Sequence, residues 1–321
     1  MMILELVNKR WNIKSMTTER RLPTWFKVKM PSGPNYSKLH NLIKTQGLNT
    51  VCEEARCPNM GECWERETAT FMILGDICTR ACTYCAVTTG RPVGLDLEEP
   101  KRLADTVKTL NLKYAVITSV DRDDLPDGGA YIFAQSIKQI KKKSPLCKVE
   151  VLTPDFQGDW NSLEIVTNEN PETFNHNIET VRRIFPRVRA KGDYDLSLRL
   201  LDKVKDLMPD GVTKSGMMVG LGETKTEIVE TMEDLLQHRC DLLTIGQYLR
   251  PSQKHTPISK WYTPQEFENL REIGLQMGFK HVASGPLVRS SYHADEQHNN
   301  AMRQQVPEAV SYTHLTLPTK A

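Results

Sequence analysis

Short apolar runs recur along the chain from Phe71 onward, and the stretches between them carry apolar residues at helical spacing. Phe71–Leu74, Tyr114–Ser119, Val149–Leu152, Glu172–Asn175, Ser215–Val219 and Leu242–Ile245 read as buried strands. Ile228, Val229, Met232, Leu235 and Leu236 share one helical face, as do Phe133, Ile137 and Ile140. This alternation predicts an α/β fold with a parallel sheet and right-handed crossovers, either doubly wound or closed partly or fully into a barrel. Six units favour a partial (βα)6 barrel over a complete barrel of eight. In each case the loops leaving the carboxyl ends of the strands build the active site, which sets Ile77–Thr89, Asp121–Gly129, Thr153–Gly158 and Gly220–Thr224 on a common face.

Residues 1–70 contain Pro23, Pro31, Pro34 and Pro58 with little periodicity, and read as an arm wrapped on the barrel and fixed partly by a metal site. Residues 71–285 form the barrel and 286–310 a C-terminal segment. The last stretch, 311–321, has no docking pattern and is expected to be a disordered tail or an expression or reading-frame scar.

Charge narrows the function classes. Lys and Arg total 42 against 40 Asp and Glu, a formal net charge of +2, which creates no field of the kind that gathers nucleic acid. The run Lys141–Lys143 reads as a solvated helix end stabilised by the carbonyl pole of the dipole. No apolar run is long enough to cross a membrane, and the start lacks a secretory pattern. Residues 8–29 are basic, but nearby Glu5 and Glu19 are unlike an acid-poor transit peptide, so bacterial cytoplasm is expected first and mitochondrial matrix second.

Eight cysteines in a reducing compartment are not expected to form disulfides, so their spacing becomes the main signal. Cys147 and Cys240 stand alone in apolar surroundings and read as buried fillers. Cys78, Cys82 and Cys85 follow the first strand as C-x3-C-x2-C, close enough for three thiolates to hold one centre from a single loop. A closed zinc site wants four ligands, whereas a four-iron cluster held by three cysteines keeps one iron open to substrate. Cys52, Cys57 and Cys63 form a second triplet, C-x4-C-x5-C.

The first of these triplets, with Tyr84 before its last cysteine, resembles the signature of the radical S-adenosylmethionine (SAM) superfamily. In that superfamily the open iron chelates the amino and carboxylate groups of SAM, and an electron from the cluster releases a 5′-deoxyadenosyl radical. Such a radical needs a dry pocket. The stretch Val51–Trp64, together with Gly75–Cys82, closely resembles the lipoyl synthases. The likeness continues through Ser119–Leu125, Glu150–Phe156, Asn175–Thr180, Lys214–Thr224 and Gly285–Tyr292.

This resemblance implies two [4Fe-4S] clusters, one on Cys78, Cys82 and Cys85, and an auxiliary one on Cys52, Cys57 and Cys63. A serine oxygen is implied as fourth ligand of the latter, mapped to Ser291 with Ser290 as fallback. A hard oxygen among soft thiolates suits a ligand that must let go. The implied reaction removes hydrogen from carbons 6 and 8 of an octanoyl chain on a lysine of an acceptor protein and inserts sulfur from the consumed auxiliary cluster, using two SAM molecules. The implied partners are octanoylated lipoyl domains of 2-oxoacid dehydrogenase complexes or the glycine cleavage H protein, an electron donor such as ferredoxin or flavodoxin, and an iron–sulfur carrier.

Softer candidates surround these. Gly220 to Thr224 lacks the third glycine of a dinucleotide fingerprint; it either lets backbone approach the adenosyl group, with Glu223 at the next helix start, or is a tight strand-to-helix turn. Thr118, Ser119, Asp121 and Glu150 lie where polar groups could hold SAM. His176 either orders substrate or is a hydrogen-bonded structural histidine, and Arg289 either pairs with a carboxylate near the auxiliary cluster or caps the barrel. Two alternatives stand beside this reading: a different sulfur-inserting radical enzyme acting on a small molecule or tRNA, the latter disfavoured by the near-neutral charge, and a zinc protein stapled by both triplets. A monomer is expected.

Overall fold

The computed structural model describes residues 22–26, 33–54, 57–66 and 68–305. The tail expected at 311–321 and most of the basic stretch 8–29 lie outside the described residues. Seven parallel strands follow one another around a single sheet: β1 Ala69–Ile73, β2 Tyr114–Ser119, β3 Lys148–Leu152, β4 Thr173–Asn175, β5 Val212–Val219, β6 Leu242–Gln247 and β7 His281–Gly285. The helices α1 Glu99–Leu110, α2 Ala130–Lys143, α3 Trp160–Thr167, α4 Tyr194–Leu207, α5 Lys225–Gln237 and α6 Pro264–Met277 connect them. Strand order never reverses, which excludes the doubly wound alternative, and β1 does not pair with β7. The barrel is therefore partial and open on one side.

The six expected strands are present, with β5 starting earlier, at Val212, and Glu172 outside β4. Two further strands extend the sheet. Asn49–Thr50 pairs antiparallel with Phe71 and Met72, and β7 pairs parallel with β6. At β7 only Val282 is fully buried, because the strand is an edge and ends in Gly285, so no apolar run marks it.

Local chemistry explains where the helices begin. Thr224 and Glu227 form a capping box at α5, and Thr263 and Glu266 form another at α6, where Pro264 takes the first turn. Asp193 and Asp159 accept first-turn amides at α4 and α3. Outside the sheet two apolar clusters pack strands on helices, one including Phe71, Ile117, Val151, Phe133 and Ile137, the other Val219, Ile245, Ile228, Met232 and Leu235. Cys147 belongs to the first and Cys240 to the second, both buried as fillers. Lys141 and Lys143 end α2 beside Glu172 (3.2 Å) and Asp105 (2.6 Å).

A polar network lies where β3, β4 and β5 face the lumen. Glu150 and Lys214, both wholly buried, meet at 3.0 Å, and Glu150 also accepts from the Tyr114 hydroxyl (3.0 Å) and Asn175 Nδ2 (3.1 Å). The C-terminal helix Ala294–Gln305 crosses the amino ends of the strands. Its Ala294 packs on Tyr114 and Val116, its Ala301 on Val212 and Leu242, and its His298 lies 3.0 Å from Thr173 Oγ1. The helix thus floors the barrel.

The segment leading into this helix runs close over β5 and β6. A Cβ on Gly246 would stand 2.1 Å from the Val288 carbonyl oxygen, and one on Gly216 would stand 3.1 Å from Ser290 Oγ. Only glycine leaves room for that chain.

Candidate active site

The loop after β1 carries Cys78, Cys82 and Cys85. It is braced at its base by a small parallel pairing of Ile77–Cys78 with Thr88–Thr89, and the Gly90 amide donates to the Cys78 carbonyl at 3.0 Å. From outside, Thr256 donates its amide to the Thr83 carbonyl (3.0 Å), and His255 Nε2 sits 2.9 Å from the Cys85 carbonyl oxygen. All three cysteines line one cavity of about 230 Å³ at the carboxyl end of the strands. Thr118, Ser119, Asp121, Thr153, Asn177, Glu179 and Arg189 complete its polar wall, and Val51, adjacent to Cys52, carries the wall to the arm.

Arg80 rigidifies the loop. Its side chain is almost fully buried and donates to Asp123 (2.8 Å) and to both oxygens of Asp155 (2.6 and 2.7 Å), with Asp121 at 3.5 Å. Burial opposes the Arg80 charge, but the carboxylates win and hold its pKa above the usual guanidinium value. Burial likewise opposes Asp155, yet the Arg80 hydrogen bonds bring it down to about 2. Loops after β1, β2 and β3 are thereby locked together around the cysteines.

Arg189 and Glu179 were not singled out from the sequence. Arg189 is buried; it donates to the Asn177 carbonyl (2.6 Å) and to His176 Nε2 (3.4 Å). His176 Nδ1 lies 2.9 Å from the Thr153 carbonyl oxygen, which requires a proton on Nδ1, and its Nε2 lies 3.1 Å from Ser197 Oγ. Burial, then the Arg189 charge, pushes His176 down to about 3. It is the structural histidine, and it orients Arg189. Glu179 adopts φ 67°, bridging to Met217 beside β5, and burial raises its carboxyl pKa while Arg189 opposes that rise. For Glu179 the clue was in the polar residues His176, Asn177 and Glu179 that follow β4.

Three of the softer candidates stand off the cavity wall. Glu150 lies in the Lys214 ion pair and does not line the cavity, because a charge on a buried strand needed a partner there. Glu223 turns back to accept the amides of Gly220 (2.6 Å) and Leu221 (2.9 Å), the geometry of a tight strand-to-helix turn. Gly220, at φ 107°, faces Gln247 and Lys260 and not the cavity. Thr118 and Ser119 do line the cavity, with Thr118 Oγ1 donating to the Leu152 carbonyl at 2.9 Å.

The second triplet sits on the arm. Cys52 lies on the turn Val51–Glu54, Cys57 donates its amide to the Cys52 carbonyl (2.9 Å), and Cys63 lies on the helix Met60–Glu65. From the C-terminal segment, Arg289 donates to the Val288 carbonyl (2.6 Å) and pairs with no carboxylate among the described residues, burial lowering its pKa and the Cys57 charge opposing. Ser290 Oγ donates to Asn177 Oδ1 at 3.2 Å. Ser291 is half-buried and makes no side-chain hydrogen bond to another described residue.

The donor sets fit groups that need thiolates. Burial pushes Cys82 and Cys52 up to about 12 and Cys85 to about 11, and raises Cys78 and Cys57; Cys63, also at about 12, is raised by burial and then by Cys52 and Cys57. Such thiols ionise when an electropositive centre takes them. The Trp64 indole N–H has no acceptor among the described residues and lies near the Cys52 sulfur, whose thiolate form it favours. Ser119 Oγ and Thr153 Oγ1, both on the cavity wall, are likewise without partners among the described residues, as expected of a wall built for a polar ligand. Among the described residues no three His, Cys, Asp or Glu side chains converge as closely as one ion requires; a tetrahedral zinc would draw its thiolates to about 3.8 Å of one another.

Residues 72–235 match the Radical SAM superfamily, and residues 6–57 match the N-terminal domain of lipoyl synthase of the Radical SAM family. The chain is 58% identical over 281 residues to the lipoyl synthase of Rubrobacter xylanophilus, covering 88% of each. It is 54% identical over 290 residues to that of Bacillus subtilis, covering 90% of this chain and 97% of the relative. Among solved structures, SuiB of Streptococcus suis bound to S-adenosylmethionine superposes with TM-score 0.52 at 12% identity over 75% of this chain and 57% of that one. HydG, a maturase of the [FeFe]-hydrogenase, gives TM-score 0.51 at 16% identity over 82% and 64%. At these identities both likenesses concern the fold alone.

Proposed function

The chain belongs to the lipoyl synthase family of radical SAM enzymes, and from that premise we propose how its residues divide the work between two iron–sulfur centres. The family reaction inserts two sulfur atoms at carbons 6 and 8 of a protein-bound octanoyl-lysine with SAM as cosubstrate, so the substrate is a lipoyl domain. In our reading Cys78, Cys82 and Cys85 hold one [4Fe-4S] cluster, and Cys52, Cys57, Cys63 and Ser291 hold an auxiliary one. When bound, the first supplies an open iron and an electron for SAM cleavage, and the second supplies sulfur.

The single observation that carries this reading is the cavity lined by Cys78, Cys82 and Cys85 and reaching Val51 beside Cys52, with its unpartnered hydroxyls. Arg189 offers the cation for the SAM carboxylate and Glu179 the anion for its amino group. Ser119 and Thr153 offer hydroxyls to its polar edges, and Thr118 shapes the wall. Arg80 holds the cysteine loop still, and Val51 and Met72 give the side nearest the arm an apolar surface on which an octanoyl chain can lie between the triplets. Ser290 is committed to Asn177, which favours Ser291 as the departing ligand.

We further assign residues 1–70 as the cluster-bearing arm, 71–285 as the barrel and 286–310 as the serine-bearing segment. A ferredoxin or flavodoxin is the proposed electron donor, an iron–sulfur carrier the source of rebuilt clusters, and bacterial cytoplasm the location. No helix of the described residues is long and apolar enough to cross a membrane.

The test is anaerobic incubation of the reconstituted protein with reductant, SAM and an octanoyl-lysyl peptide, followed by mass spectrometry. Gain of two sulfurs with 5′-deoxyadenosine release is expected. Cys82→Ala should abolish SAM cleavage, and Cys57→Ala should leave cleavage but stop sulfur insertion. Lipoyl product from Cys57→Ala would refute the sulfur-donor assignment, and an unaltered product yield from Ser291→Ala would refute the ligand assignment.

A further inference from the structure

The open side of the barrel is bridged by polar side chains from two distant parts of the chain. On the arm, Asn59 Nδ2 donates to the Leu287 carbonyl at 2.6 Å. Glu62, next to Cys63, accepts from the Tyr292 hydroxyl (3.2 Å) and lies 3.0 Å from His293 Nε2. Arg66 reaches the His293 ring at 3.0 Å and pairs with Glu296, whose other oxygen lies 3.0 Å from His293 Nδ1. His293 holds φ 52°, a left-handed backbone that a histidine adopts only at a cost, and its ring stands between the two carboxylates. Tyr292 adjoins Ser291 as Glu62 adjoins Cys63, so the bridge flanks both halves of the donor set.

We infer that Glu62, Arg66, Tyr292, His293 and Glu296 form a latch across the barrel's open side, positioning residues that hold the serine-bearing segment on the cysteine arm and set how long the arm centre keeps its metal. This rests on the reading that the arm triplet and Ser291 share one cluster. Glu62 and Glu296 are about half exposed (51% and 52%) and Arg66 is 38% exposed, so each pair is weak in water and the latch is reversible. An apolar seam would hold the segment shut. A polar one releases it at small cost, as a site that must be emptied and refilled requires.

The experiment follows iron transfer to a ferrous chelator from the reconstituted, desalted full-length protein, together with hydrogen exchange over residues 286–305. The iron absent from Cys57→Ala defines the arm fraction. Arg66→Glu and Glu296→Arg should each release that fraction about fivefold faster and raise exchange in the segment, with 5′-deoxyadenosine release unaltered. The swap Arg66→Glu/Glu296→Arg should return towards the parent rate. Tyr292→Phe, which removes one hydroxyl and leaves folding intact, should accelerate release about twofold. Parent-like release in all the single variants overturns the latch, as does a swap that restores nothing. If Cys57→Ala holds as much iron as the parent, the cluster reading itself fails, whatever the latch variants do.

Discussion

Replacing Glu150 by Gln separates a structural charge from a ligand contact. The substitution keeps the shape of the side chain but leaves the Lys214 ammonium without its anion at a wholly buried position. The lost pair lies at 3.0 Å, and the Tyr114 and Asn175 donors that also served the carboxylate are left with a weaker acceptor. Breaking a buried pair from one side costs about 3–5 kcal/mol, a large part of a typical stability. Urea unfolding of the anaerobic, reconstituted protein should show that loss, with a thermal midpoint lower by roughly 10 °C. Lys214→Met should cost a similar amount, and the double variant should cost less than the sum by about 2 kcal/mol, because neither partner is then left unpaired. The affinity for SAM should not change, since neither residue lines the cavity. Parent-like stability of Glu150→Gln, or a fully folded variant with weakened SAM binding, would refute the argument and restore Glu150 as a cofactor contact.

Other expectations follow from the same geometry. Arg189→Lys loses the fork that reaches both Asn177 and His176, so SAM should bind at least about tenfold more weakly by isothermal titration while the cysteine loop still takes up iron. His176 stays neutral in the folded chain down to about pH 3, whereas the unfolded chain protonates it near its ordinary 6.5. Its contribution is therefore whole above about pH 6.5 and is lost as pH falls towards 3, by about 1.4 kcal/mol per unit. His298, lowered to about 4 mainly by burial, acts in the same direction. His176→Gln should thus remove about one proton from the slope of stability against pH between 6 and 4; an unchanged slope would show that the ring is charged in the native state. Gly246→Ala should slow sulfur insertion and raise exchange in 286–293, because its methyl group would displace Val288; parent-like behaviour would place that segment elsewhere.

What was readable in the sequence was local. Both cysteine triplets and the alternation of strand and helix depend on residues close in the chain, and they emerged as spacing and periodicity. β7 left no such trace, because an edge strand of His-Val-Ala-Ser-Gly buries only one apolar side chain fully. Glu150 drew attention as a charge on a strand, yet the side chain that explains it, Lys214, is 64 residues away. Gly220–Thr224 looked like a ligand-binding turn because glycine serves both purposes; only the Glu223 carboxylate on its amides decides between them. Arg189 and Glu179 come from an irregular connection after β4, where no period exists to reveal which polar residues face inward.

The open barrel also imposes an order on how the molecule is made. The thiols of the loop after β1 span eight residues, and bringing such a loop together costs only about 2 kcal/mol in chain entropy. The seam that brings the serine-bearing segment to the arm joins Asn59 to Leu287 across 228 residues, at about 5 kcal/mol. The donors proposed for the first centre can therefore gather early, whereas those proposed for the second must wait until the segment around Leu287 has been made and has folded back onto the arm. A chain cut short before Ser291 keeps Cys78, Cys82 and Cys85 but loses both the serine proposed for the second centre and the helix that floors the barrel, so it should neither complete that centre nor hold the barrel as firmly.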